Sequence, residues 1–264
     1  MTILSRRHIE RNGELLISTE HFGLALFGSQ FLAAAATILF VVWGIGWQTH
    51  PNPAVFENWT GTSWHFYVDN FISEIGLGLT VFTIVWLRDA TWESLGVRRP
   101  NLSIPSILVA VATAYIVLHF LIGPVSLSLW KYCLSFFGIN LTQGYGDVDP
   151  LQWEVWSLRQ AAGQIGVWGA ALFVFCVGVL VPVFEELFFR GLILTALLER
   201  TSAWGALVSQ AFLFAALHID FIRLPYLIAL GLILGYLVKR TSSLVPAVLL
   251  HILVNVISLT SVID

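Results

Sequence analysis

Charge is what this 264-residue chain has least of. Only 11% of its residues are Asp, Glu, Lys or Arg, against about 25% in a soluble globular domain. Hydrophobic residues make up 57% of the chain and the mean hydropathy is +0.82, the composition of a polytopic membrane protein. A net charge of -3 with a pI near 6.1 leaves no basic surface for nucleic acid. Cysteine is nearly absent. Cys133 and Cys176 both lie in apolar sequence, read most simply as buried thiols, and two cysteines cannot build a cysteine-rich zinc site. No internal repeat, low-complexity linker or His-Glu-x-x-His run occurs anywhere.

What is abundant is long apolar sequence. Runs near 20 residues mark spans at Phe22–Trp47, Phe71–Leu87, Ile104–Leu121, Ile165–Leu198, Ala203–His218, Tyr226–Val238 and Leu244–Leu259. The sixth is short unless it borrows flanking residues. A further stretch, Val125–Ile139, follows Gly123-Pro124 and contains Lys131, so it reads as a re-entrant helix, an interfacial helix or an eighth span. The expectation is an all-α polytopic bundle of seven or eight transmembrane helices. The first apolar run is too long for a cleavable signal peptide, and its small-residue stretch Ala33–Ala36 continues into Thr37-Ile38-Leu39-Phe40 with no release into polar sequence. Eleven Trp and six Tyr suit two membrane interfaces, although Trp packs equally well in a core.

Basic residues orient the spans. Arg6, Arg7 and Arg11 precede the first run, and the next loop, Thr49–Val68, has no Lys or Arg. Arg88, Arg98 and Arg99, then Arg200, then Lys239 and Arg240 fall in alternate loops, which places the N-terminus in the cytosol. The Asp- and Gly-rich loop Asn140–Gln160 divides a 1–160 transmembrane region from a 161–264 core that holds every unusual polar residue.

Those residues form three helical-spacing patterns. Glu185-Glu186 sits in apolar sequence, with Arg190 one turn beyond Glu186 and Glu185 about 100° away on the helix. Phe214 and His218 share a face of the next span, and His251 and Asn255 share a face of the last. Each has a plain explanation alone. An intramembrane His often serves packing, an Asn can be interhelical glue worth about 0.6 kcal/mol, and a Glu–Arg pair neutralises itself. Together they are harder to explain so. Ionisable groups at bilayer depth cost roughly 2.5–3.5 kcal/mol each on insertion scales, and glue needs no such set.

Glu185-Glu186-x-x-x-Arg190, Phe214-x-x-x-His218 and His251-x-x-x-Asn255 resemble the three motifs of the CPBP (Abi) family, which includes the type II CAAX prenyl endopeptidases. The resemblance spans about Ala161–Ser261, and Leu95-Gly96-Val97-Arg98-Arg99-Pro100 more weakly resembles a cytosolic loop of bacterial members. It implies an intramembrane protease of a bacterial plasma membrane, acting on a lipidated or membrane-associated peptide or protein, prenylated CAAX-type substrates included. It also implies roles: Glu185 and His218 on the attacking water, His251 and Asn255 as oxyanion hole.

The chemistry stands without the family. Peptide hydrolysis needs an activated water, donors for an oxyanion and an acid for the leaving amine. Arg190 holds Glu186 ionised and leaves Glu185 free to take a proton. Zinc held by Glu185, His218 and His251 is the competing arrangement, disfavoured by the fixed charge of Arg190, so no cofactor is expected. A proton-coupled transporter would also place Glu, His and Arg in spans, but transporters usually show two related halves. A non-catalytic protein of the bacteriocin-immunity type is the other alternative. One count does not close: from the cytosolic turns, Glu185 and His218 lie roughly 24 Å deep but His251 only about 14 Å. Either the helix of the glutamates projects past the bilayer or the turn before Pro246 dips inward.

Overall fold

Proline and glycine set where the helices of this chain change pitch. The computed structural model describes residues 75–86, 90–138, 168, 171–172, 174–218 and 220–263, and every regular element in them is helical. Helix α1 is Ile75–Trp86 and α2 is Ile104–Phe136. Helix α3 runs unbroken through Cys176–Leu180, Val181–Glu186, Leu187–Leu194 and Thr195–Arg200. Then come α4, Ala203–Leu217, α5, Leu224–Thr241, and α6, Val245–Ile263. The expected span Phe22–Trp47 and the loop Asn140–Gln160 lie outside the described residues.

Local chemistry explains the ends. Ser103 caps α2, with Pro105 in its first turn, where a missing N–H is not needed. Ser202 caps α4 by accepting from Gly205 N at 3.1 Å. Helix α5 closes on Ser242 in the left-handed conformation (φ 54°), with Lys239 and Arg240 against its negative end.

Gly123-Pro124 does not separate two elements. Helix α2 passes through it on a π-turn, Val117–Ile122, and continues to Phe136, so Val125–Phe136 of that stretch extends the third run rather than forming a separate element. Proline lacks an N–H and crowds the preceding turn, and the wider i→i+5 turn absorbs both defects. At 33 residues α2 is about 50 Å long, well beyond a hydrocarbon core of about 30 Å. Pro182 is handled the same way, with the π segment Cys176–Leu180 directly before it.

Helices α2 and α5 are long and apolar enough to cross a membrane, whereas α1, α4 and Val245–Leu259 are shorter apolar helices. The expected short sixth run does borrow its neighbours, reaching Leu224 and Thr241. Outward faces are apolar, as at Leu108, Phe120, Leu172 and Trp204, while Phe188, Leu192, Phe214, Leu234 and Leu250 close the core.

The 90–103 loop and the α5–α6 turn meet at one end of the bundle. Arg98 Nε donates to Ser242 O at 2.6 Å, Ser243 Oγ to Arg98 O at 2.5 Å, and Leu244 N to Gly96 O at 2.9 Å. Gly96 adopts φ +86°, which a side chain would disfavour. At the other end the projecting part of α2 meets the α4–α5 loop, where Trp130 Nε1 donates to Phe221 O at 2.9 Å.

Candidate active site

Two close helix approaches assemble the site. Gly178 lies so near α6 that a Cβ there would meet Val256 Cγ2 at 2.9 Å, bringing the start of α3 onto the helix of His251 and Asn255. Gly231 lies so near α4 that its Cβ would meet Ala211 Cα at 2.9 Å. Between these contacts the six α-helical residues Val181–Glu186 carry the glutamate pair, with π segments on both sides. Such segments are rare and recur at functional sites.

The depth problem resolves here. A Cβ on Gly191 would lie 3.8 Å from Leu244 Cδ1, so Gly191, not Thr201, is level with the start of α6. From that level Glu185 is six residues along α3 and His251 seven along α6, about 9 and 10 Å at helical rise. The α3–α4 end projects past the α5–α6 turn, and the turn need not dip.

Five of the six sequence-selected residues form one connected cluster. Glu186 Oε1 accepts from Arg190 Nη1 at 2.7 Å and lies 2.8 Å from His251 Nδ1. The other imidazole nitrogen, His251 Nε2, lies 3.3 Å from Glu185 Oε2. Glu185 Oε1 in turn lies 3.6 Å from His218 Nε2. The carboxylate of Glu185 is thus flanked by two histidine Nε2 atoms. His218 Nδ1 sits 2.7 Å from Phe214 O, and since a carbonyl only accepts, Nδ1 carries the proton. In a neutral His218 the lone pair of Nε2 therefore faces Glu185. By the same reasoning Glu186, ionised beside Arg190, accepts from His251 Nδ1–H.

The sixth residue, Asn255, stands one turn beyond His251 and donates from Nδ2 to Val177 O at 3.3 Å. It braces α6 against the start of α3. One of its two amide hydrogens is thereby used and the other remains.

Burial is uneven in a useful way. Glu186 and Arg190 side chains are fully enclosed, while the His218 side chain is 27% exposed beside a Glu185 at 7%. Access is therefore from the His218 side. Arg190 is held by Glu186, by Gly231 O at 3.3 Å, and by the ring of Phe214, whose centroid lies 4.5 Å from the guanidinium carbon. Phe214 also touches both histidines, with centroids 4.4 Å from His218 and 5.7 Å from His251. Its place in the second pattern is that of a packing centre. Among the described residues no group of three His, Cys, Asp or Glu side chains is arranged as a metal site.

Residues 167–257, which contain all of this geometry, match the family model described as Type II CAAX prenyl endopeptidase Rce1-like. This part of the chain is an Rce1-like domain. No curated protein and no solved structure matches the chain. The match at residues 167–257, together with two helices long and apolar enough to cross a membrane, supports a membrane protein with a CAAX prenyl endopeptidase-like region.

Sequence reading passed over Gln210 and the Gly231-x-x-x-Gly235 stripe of α5. Gln210 is fully buried and donates to Gly231 O at 2.8 Å and to Leu207 O at 3.1 Å. The signal was present, because two small residues four apart in an apolar helix mark a close crossing.

Proposed function

We propose that this protein is an intramembrane endopeptidase that hydrolyses a peptide bond of a membrane-associated substrate, of the prenylated CAAX type, by glutamate-activated water. The observation that carries the reading is the placement of Glu185 between His218 Nε2 and His251 Nε2. A water touching Glu185 Oε1 and His218 Nε2 meets two acceptors, as a nucleophile about to lose a proton requires. Glu185 takes that proton and delivers it to the leaving amine. His251, held by Glu186 at Nδ1–H, turns Nε2 toward the same centre; as an imidazolium it donates Nε2–H there, and with the remaining hydrogen of Asn255 it stabilises the oxyanion. Glu186 and Arg190 hold His251 rather than touch substrate.

The mechanism is read as metal-free. Arg190 fixes a positive charge beside the carboxylates, and an amide suits an oxyanion better than a cation. Neither a transporter nor an immunity-type partner accounts for two carboxylates oriented on histidines within an Rce1-like domain. The protein is taken to be multi-pass, with N-terminus and the basic 90–103 and 239–244 loops in the cytosol. The meeting of those two loops at one end supports this.

The test is hydrolysis of a panel of lipidated and non-lipidated peptides by the detergent-purified protein, with and without chelator, beside Glu185→Gln. Turnover by the wild type and none by Glu185→Gln at equal folded protein is expected. Near-normal turnover by the variant would remove Glu185 as base.

A further inference from the structure

Gln210 is a fully buried amide in an apolar helix, and no step of the proposed reaction uses it. Its Nε2 faces two carbonyls, Gly231 O at 2.8 Å and Leu207 O at 3.1 Å, which fixes the amide's orientation because a flipped oxygen would face two acceptors. Its Oε1 is buried without a hydrogen-bond partner. As helix glue the residue is a poor choice, since an orphaned acceptor costs more than an average interhelical hydrogen bond returns. A leucine would fill the space without that cost.

Gly231 O is where the amide reaches the site. The same oxygen receives Arg190 Nη2 at 3.3 Å. Gly235, where a Cβ would lie 2.7 Å from Gln210 Nε2, makes the room for the amide beside α5. A continuous buried chain follows: Gln210, Gly231 O, Arg190, Glu186, His251 and Glu185, with successive separations of 2.8, 3.3, 2.7, 2.8 and 3.3 Å. His218 meets this chain only at its far end, 3.6 Å from Glu185, and its ring is held separately by Nδ1 on its own helix at Phe214 O.

We infer that Gln210 is a positioning residue of the active site, setting Arg190 through the shared Gly231 carbonyl and thereby the orientation of Glu186 and His251. The inference rests on the protease reading only for its kinetic consequence. Its structural consequence is independent of any substrate.

The full-length protein in detergent, with its histidines labelled with nitrogen-15, tests both. Gln210→Met and Gln210→Leu remove the amide while filling the space differently. Each is expected to fold, to lose kcat on the order of tenfold with KM within about twofold, and to move the His251 Nδ1 resonance while leaving that of His218 in place. In an Arg190→Lys background, where the second guanidinium N–H is already gone, Gln210→Met should cost no further activity. An unmoved His251 resonance overturns the proposal, as do losses that multiply in the double variant. Failure of both apolar variants to fold, or unchanged kcat per folded molecule, would reduce Gln210 to glue and overturn it too. If the wild type cleaves no peptide, the protease reading fails, and the His251 resonance still decides the role of Gln210.

Discussion

Replacing Arg190 by alanine is the sharpest test of how the polar cluster is held. The Arg190 side chain is fully buried, and its guanidinium meets Glu186 at 2.7 Å, Gly231 O at 3.3 Å and the rings of Phe214 at 4.5 Å and Phe189 at 5.8 Å. Removing one member of a buried pair leaves an uncompensated charge and costs about 3–5 kcal/mol. A desolvated cation–π contact adds up to about 2 kcal/mol. At roughly 2–4 °C per kcal/mol for a chain of this size, the ion pair alone corresponds to a fall in Tm of about 6–20 °C. Intrinsic tryptophan fluorescence, from the eleven Trp of the chain, follows unfolding in detergent. Glu186→Gln combined with Arg190→Met supplies the control. It removes both charges of the Glu186–Arg190 pair, and the Gln oxygen still accepts from His251 Nδ1, so it should recover at least half of the loss. An Arg190→Ala protein melting within about 2 °C of wild type would refute the reasoning. So would a double variant that falls by the sum of the single losses.

Further outcomes follow from the same geometry. Glu185→Gln should abolish turnover with Tm close to wild type, because Glu185 makes no short hydrogen bond in the cluster. Asn255→Ala should reduce kcat about 10²–10³-fold if its free amide hydrogen serves the oxyanion, and a smaller loss, measured at saturating peptide, would confine it to bracing Val177. Gly231→Val must drive a side chain against the backbone of Ala211 and should lower stability by about 1–3 kcal/mol, checked by the same thermal melt. Elemental analysis should find less than one divalent metal per chain and chelation should leave activity intact. One equivalent of zinc, with activity returning only on its return, would replace the metal-free mechanism with the Glu185, His218 and His251 alternative.

The sequence alone pointed to an all-helical chain and to most of the residues that the fold gathers into one polar cluster. Scarce charge and long apolar runs leave helices as the economical way to satisfy backbone groups in lipid. Periodicity of 3.6 placed Glu186 with Arg190 and His251 with Asn255, because those relations are local. What sequence could not determine were relations between helices. Val125–Phe136 became part of α2 because a π-turn carries a helix through Gly123-Pro124, an outcome that hydropathy does not encode. The depth of His251 depended on Gly191 lying level with Leu244, a packing fact that counting from turns assumes wrongly. Only tertiary structure put both nitrogens of His251 between Glu185 and Glu186, and only it gave Gln210 its place beside Gly231. Local chemistry sets which residues share a face of a helix, whereas the close approaches at Gly178 and Gly231 decide which faces meet.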